Sequence, residues 1–95
     1  MRLEIASRAA SDLRELHLYG LDKYGPSLAD AYLAELFEKF DMIAQWPLAA
    51  PERWMSHPPV RLSRHRAHNV LYSMTDETVT ILFVVHHSVN WIDLL

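Results

Sequence analysis

At 95 residues, 51% of them hydrophobic and 22% charged, the chain is sized for one packed core and is too apolar to be disordered. Its formal net charge of −3 argues against a general polyanion binder, and the lack of cysteine excludes a disulfide scaffold and a thiolate nucleophile. No stretch approaches membrane-spanning length and the start lacks a signal-peptide apolar run, so a cytoplasmic protein is expected.

Charge is unevenly placed. Residues 53–75 hold Arg53, Arg61, Arg64 and Arg66 with three histidines and no acid, whereas the first fifty residues carry eight of the twelve acids. An acidic body with one basic segment points to a local anionic partner surface.

In chain order, Leu3 and Ile5 alternate with Arg2 and Glu4, the pattern of a short half-buried strand. Ser7 is placed as an N-cap, and from Arg8 the period becomes helical. Ala9, Leu13, Leu16, Gly20 and Tyr24 form one stripe, widened by Tyr19 and Leu21, while Asp12 and Glu15 read as a solvated face. Gly20 marks either a close helix–helix contact or an early fray. Gly25-Pro26 closes this helix and opens the next, glycine suiting the left-handed cap and proline the first turn. The second helix carries Ala29, Tyr32, Leu33, Leu36, Phe37, Phe40, Ile43 and Ala44 on its apolar side, with Asp30, Glu35, Glu38, Lys39 and Asp41 opposite. Pro47 ends it and biases Trp46 away from the helical region. So short a link predicts an antiparallel helical hairpin from about Arg8 to Trp46.

Leu48 to Pro59 is proline-rich and reads as a loop. Trp54 and Met55 within it, with Trp91 in the tail, would form apolar partner surface if exposed. Val60 to Arg64 alternates as an edge strand. His68–Met74 and Val79–Val85, joined by Thr75-Asp76-Glu77, read as an antiparallel hairpin. Apolar residues at both parities of Val79–Val85 mark a central strand with both faces covered. The tail from Ser88 to Leu95 is apolar and too short for an element of its own. The order strand, helix, helix, strand, strand, strand predicts an α+β domain spanning residues 1–95, β-α-α-β-β-β, with a helical hairpin on one face of a mainly antiparallel sheet.

Catalytic signals are weak. His65, His68, His86 and His87 lack metal-ligand spacing, and consecutive strand histidines point to opposite faces, so no metal or cofactor is expected. Asp12-Leu13-x-x-Leu16-x-x-Tyr19, Tyr24-Gly25, Ala29-x-x-Tyr32-x-x-x-Leu36 and Ile43-Ala44-x-x-Pro47 nevertheless resemble the helical half of ParE-type toxins. Arg61, His68-x-Val70-x-Tyr72 and Ile81-Leu82-x-Val84-x-His86 continue the resemblance through the sheet. The likeness covers nearly the whole chain and belongs to the ParE/RelE superfamily of type II toxin–antitoxin systems.

That resemblance implies the predicted fold and a bacterial toxin neutralised by a ParD-like or similar antitoxin encoded beside it. ParE-type members poison DNA gyrase; RelE-type members cut messenger RNA on the ribosome. His87 stands where the nucleases typically carry Arg, and the tail has Trp91 and no tyrosine, which favours the binding branch without direct contact to DNA. Antitoxin is expected at Tyr19, Tyr24, Arg61, Arg64 and Arg66, and the target at Trp91, Ile92 and Leu94. The competing readings are a nuclease using Arg61, His68 and His86, and a non-toxic relative that only assembles a complex.

Overall fold

The computed structural model describes residues 1–53 and 59–95. Its elements are β1 (Arg2–Ile5), α1 (Ser7–Tyr24), α2 (Pro26–Gln45), β2 (Glu52–Arg53), β3 (Val60–His65), β4 (His68–Met74), β5 (Thr78–His86) and a 3-10 turn (Trp91–Leu94). The sheet order is β1-β5-β4-β3-β2, with β1 parallel to β5 and the remaining neighbours antiparallel. The two helices lie on one face, giving the α+β domain predicted above. The two-residue β2, absent from the sequence reading, borders β3 and gives it a second neighbour.

The main core lies between helices and sheet. Ala9 and Leu13 of α1 and Leu36, Phe40 and Ile43 of α2 meet Val70, Tyr72, Val79, Ile81 and Val84. The helical stripes therefore bury their centres, while Tyr19, Tyr24 and Phe37 at their margins stay exposed. A Cβ on Gly20 would lie 3.2 Å from Ala29 Cβ, so the glycine marks the close helix–helix approach. Gly25, at φ 87° and ψ 169°, ends α1 in backbone space that is essentially glycine's alone.

Two sequence expectations are corrected. Ser7 is the first helical residue instead of the cap. Ala6, whose methyl offers no capping group, holds the cap position, and its N–H pairs with the Ile81 carbonyl as β1 ends. Asp12 is buried instead of solvated: Oδ2 accepts from the Val84 amide at 2.9 Å and Oδ1 from Arg8 Nε at 2.8 Å. Pairing between β1 and β5 stops at Ile81, so the Val84 N–H needs an acceptor from elsewhere, and α1 supplies it.

The run of apolar residues in β5 has two causes. Leu71 pairs with Phe83 and Tyr72 with Ile81, which leaves Leu82 as the extra residue of a bulge. Val79 and Ile81 before it, and Val84 after it, consequently face the helices. Phe83 and Val85 face away, in a second cluster with Val60 and Leu71, against which Leu62, Leu82 and Trp91 pack. The far face thus has its own small core. Trp54 and Met55 lie outside the described residues.

Candidate functional site

Helix α2 runs between two chemically different ends of the sheet. Near its start the Tyr32 hydroxyl meets His68 Nδ1 at 2.7 Å, and beyond its end the Pro47 carbonyl accepts from the Tyr72 hydroxyl at 2.7 Å. The α1–α2 turn and the β3–β4 turn therefore share one end of the domain, and the proline-rich loop occupies the other.

At the loop end, Arg61 is committed within the chain. Its guanidinium donates to the Ala50 carbonyl and, at 2.9 Å, to Glu52 Oε1, and its side chain is only 12% exposed. A planar fork that bridges a carbonyl and a carboxylate holds β2 and the preceding loop against β3. Arg61 faces Tyr72 across the sheet, four residues along β4 from His68. The three residues of the nuclease alternative therefore divide between the two ends, with His68 and His86 directly paired and Arg61 apart.

At the turn end, four histidines and two arginines gather. Strand register places His65 beside His68 and His68 beside His86. His65 Nε2 and Arg66 Nε both reach Glu35 Oε1 at 2.8 Å, and these two bonds hold the Glu35 carboxyl below its ordinary range. Arg64 Nε donates to the Arg66 carbonyl at 2.6 Å. Arg66 itself sits at φ 50°, a left-handed conformation that the two-residue turn demands and that glycine or asparagine adopts with less strain. The rings of His68 and His86 stand edge to face at 5.8 Å. Those of His86 and His87 lie 4.4 Å apart, contrary to the expectation that they diverge, because β5 ends at His86 and the chain turns there.

Burial, reinforced by the charges of His86, His65 and His87, pushes the His68 pKa down to about 4. At neutral pH it is an uncharged imidazole. If the Tyr32 proton is given to the His65 carbonyl, as the 3.2 Å contact there allows, His68 donates through Nδ1 and keeps its Nε2 lone pair. His86 Nδ1 accepts from the Ser88 amide at 3.2 Å, which assigns its proton to Nε2. His87 is likewise held below its ordinary pKa, by desolvation and by Arg64. Among the described residues no three His, Asp or Glu side chains are placed to hold a metal ion.

The helical surface offers apolar contact. Tyr19 and Tyr24 are 60% and 58% exposed and flank Lys23, whose ammonium lies 5.4 Å and 5.5 Å from their rings. The Tyr19 hydroxyl bond raises the pKa of that ammonium. Leu18 and Leu28 are exposed on the same hairpin. A groove of about 330 Å³ lies between the helices and β1, lined by Ile5, Ala10, Leu13, Leu33 and Phe37, with Arg14 and His17 also on its wall. In the tail, Trp91 is half-buried against the far-face core, whereas Ile92 and Leu94 are exposed.

Sequence reasoning missed Tyr32, Glu35 and Asp12 as connectors. Tyr32 looked like one more core aromatic and Glu35 like one more solvated acid. A polar tip at the margin of an apolar stripe, facing a strand that ends in histidine, is the signal that was present.

A family model described as the ParE toxin of the type II toxin–antitoxin system parDE matches residues 3–91. A search of curated proteins finds no match. Among solved structures, one titled as the chromosomal ParDE toxin–antitoxin system from P. aeruginosa superposes with a TM-score of 0.78 and 19% identity, covering 90% of this chain and 95% of that one. At that identity the likeness is one of fold.

Proposed function

We propose that this chain, which belongs to the ParE toxin family of type II toxin–antitoxin systems, acts by binding DNA gyrase and is neutralised by a cognate antitoxin. The observation that carries the binding reading is the division of Arg61 from His68 and His86. The candidate cation Arg61 is tied into the loop, 12% exposed, at the opposite end from the candidate acid–base pair; at the turn end Arg66 is paired with Glu35, and strand register places Arg64 on the other face of the sheet from His68 and His86. Cutting a phosphodiester needs base, acid and cation within hydrogen-bond reach of one phosphate.

Antitoxin recognition uses the exposed hairpin. Tyr19 and Tyr24 offer aromatic area, and Arg64 and Arg66 lie at the same end of the domain, so an acidic and apolar segment meets both. Arg61, expected with them, lies at the opposite end of the domain, committed to the Ala50 carbonyl and Glu52. The target-facing residues are Ile92 and Leu94, carried by a tail that Trp91 anchors to the far-face core. No helix among the described residues is long and apolar enough to cross a membrane, which fits action in the cytoplasm.

The test is induced expression with and without the adjacent antitoxin gene, combined with a supercoiling assay on purified gyrase. Growth arrest with DNA-damage signalling, intact messenger RNA and loss of supercoiling activity are expected. Paired Ile92→Ser and Leu94→Ser substitutions should relieve toxicity while the antitoxin complex survives. Transcript cleavage at ribosomal A-site codons, lost in His86→Ala, would move the protein to the nuclease branch.

A further inference from the structure

We infer that the outer edge of β1 pairs antiparallel with the same edge of a second copy of this chain, in a register centred on Leu3. This pairing is independent of the toxin reading.

The edge itself is open. β1 ends the sheet, with β5 on its inner side. The Arg2 amide donates to the Glu77 carbonyl and the Ala6 amide to the Ile81 carbonyl. Backbone groups alternate sides along a strand, so Leu3 and Ile5 turn their N–H and C=O groups outward. Among the described residues no hydrogen bond reaches these outer groups. The opposite edge of the sheet, β2, has only two residues. Neither proline, glycine nor a bulge blunts β1, and such an edge is a template for another strand.

Charge then points to the partner. In an antiparallel pair, outward residues oppose outward residues. Leu3 against Leu3 sets Arg2 opposite Glu4 of the second copy, and Glu4 opposite its Arg2. These are the non-hydrogen-bonded positions, where facing side chains approach most closely. Within one chain Arg2 Nε and Glu4 Oε1 already lie 3.6 Å apart, with side chains 75% and 52% exposed. The paired strands therefore carry a square of alternating charges. Leu3 against Ile5 would instead set Glu4 against Glu4. Ile5 against Ile5 would bring Leu3 against Ser7, which is already helical. The register centred on Leu3 satisfies backbone and charges together, and it is self-complementary, as a two-fold dimer requires.

The apolar surface agrees with that register. Leu3 packs against the main core, so Leu3 and Ile5 lie toward the helices and Arg2 and Glu4 toward the far face. In the centred register Ile5 stands opposite Met1 of the second copy, and these residues are 36% and 45% exposed in the single chain. The groove lined by Ile5, Leu33 and Phe37 opens on the same side and leaves room above the edge. With a four-residue strand from each copy the contact is small, and a dissociation constant on the order of 100 μM is expected, as for transient interfaces.

The experiment is analytical ultracentrifugation of the purified full chain from about 10 μM to about 1 mM, with amide hydrogen exchange read at both ends of that range. A reversible monomer–dimer equilibrium is expected. The Leu3 and Ile5 amides should exchange freely when dilute and be protected when concentrated, whereas the Glu4 amide, turned toward β5, should be protected in both. Arg2→Glu and Glu4→Arg, both at exposed positions, each turn the attractive pairs into repulsive ones and should weaken the dimer by roughly tenfold. Arg2→Glu combined with Glu4→Arg restores the alternation and should recover the dimer. The melting temperature of the dilute chain should be alike in all of these variants. A chain that stays monomeric throughout the range, a dimer indifferent to the single reversals, or a double variant no better than the singles would overturn the proposal. So would Leu3 and Ile5 amides that become protected only when antitoxin is added, which would give the edge to the antitoxin.

Discussion

The two ends of β3 carry the same chemistry to opposite purposes. At the loop end Arg61 is enclosed, bonded to the Ala50 carbonyl and Glu52, with Tyr72 reaching the Pro47 carbonyl beside it. At the turn end Arg64 and Arg66 are exposed, among four histidines and a single shared carboxylate. Residue type does not separate them. Arg61 lies on a strand whose neighbour β2 supplies an acid and a carbonyl, whereas Arg64 lies where β3 runs out into a two-residue turn. An arginine's role here follows from what the adjoining segment offers it.

The sharpest way to break that comparison is to truncate one arginine from each end. Arg61→Ala removes two hydrogen bonds and leaves a partly buried carboxylate and a carbonyl without their donor. It should cost about 2–3 kcal/mol. Arg64→Ala, at an exposed site, should change stability by less than about 0.5 kcal/mol. Urea or thermal unfolding of the two variants checks this, and equal effects would show that the ends do not differ as argued.

The next effect is acid sensitivity confined to the turn end. The folded pKa of His68, about 4, lies below its ordinary 6.5, so between these values the unfolded chain takes up a proton that the folded chain refuses. Stability should be intact above about pH 6.5 and decline as pH falls toward 4. Loss of the Glu35 contribution comes at lower pH, since its carboxyl is held below 4.5. His68→Gln, whose amide can still meet the Tyr32 hydroxyl, should flatten the decline. An unchanged pH profile in that variant would assign the sensitivity elsewhere. Tyr72→Phe at the loop end should instead cost about 1 kcal/mol at every pH across this window, by removing the bond to Pro47.

Much of the scaffold was legible because it depends on local pattern. Helical spacing located both helices, a close helix contact was one of the two readings open for Gly20 and is the one it makes with Ala29, and alternating or continuous apolar runs placed β1, β3, β4 and β5. Both the cap at Ser7 and the solvated Asp12 failed, because a tertiary partner overrode the local preference in each. The Ala6 N–H extends the β1–β5 pairing to Ile81, which sets the helix start at Ser7, and beyond that pairing the Val84 amide takes Asp12 as its acceptor. The site was less legible than the fold for the same reason. Arg61 matched the family pattern, yet its partners Ala50 and Glu52 belong to a loop with no periodicity. His86 and His87 come together only because the strand stops between them, and no spacing rule shows where a strand stops.

The smallest expected effect tests whether the turn end stores strain. Arg66 at φ 50° occupies the left-handed region at a cost of about 1–2 kcal/mol relative to a residue that adopts it readily. Its exposed ion pair with Glu35 returns no more than about 1 kcal/mol. Asparagine tolerates the left-handed region without the added unfolded-state entropy that glycine brings. His65 would continue to hold Glu35 after the exchange. Arg66→Asn should accordingly stabilise the chain by a few tenths of a kcal/mol, on the order of the difference between those two terms. The Arg64 bond to the residue 66 carbonyl should survive, since it uses the backbone. A clear loss of stability would mean that the ion pair outweighs the strain, and that Arg66 is held for the fold.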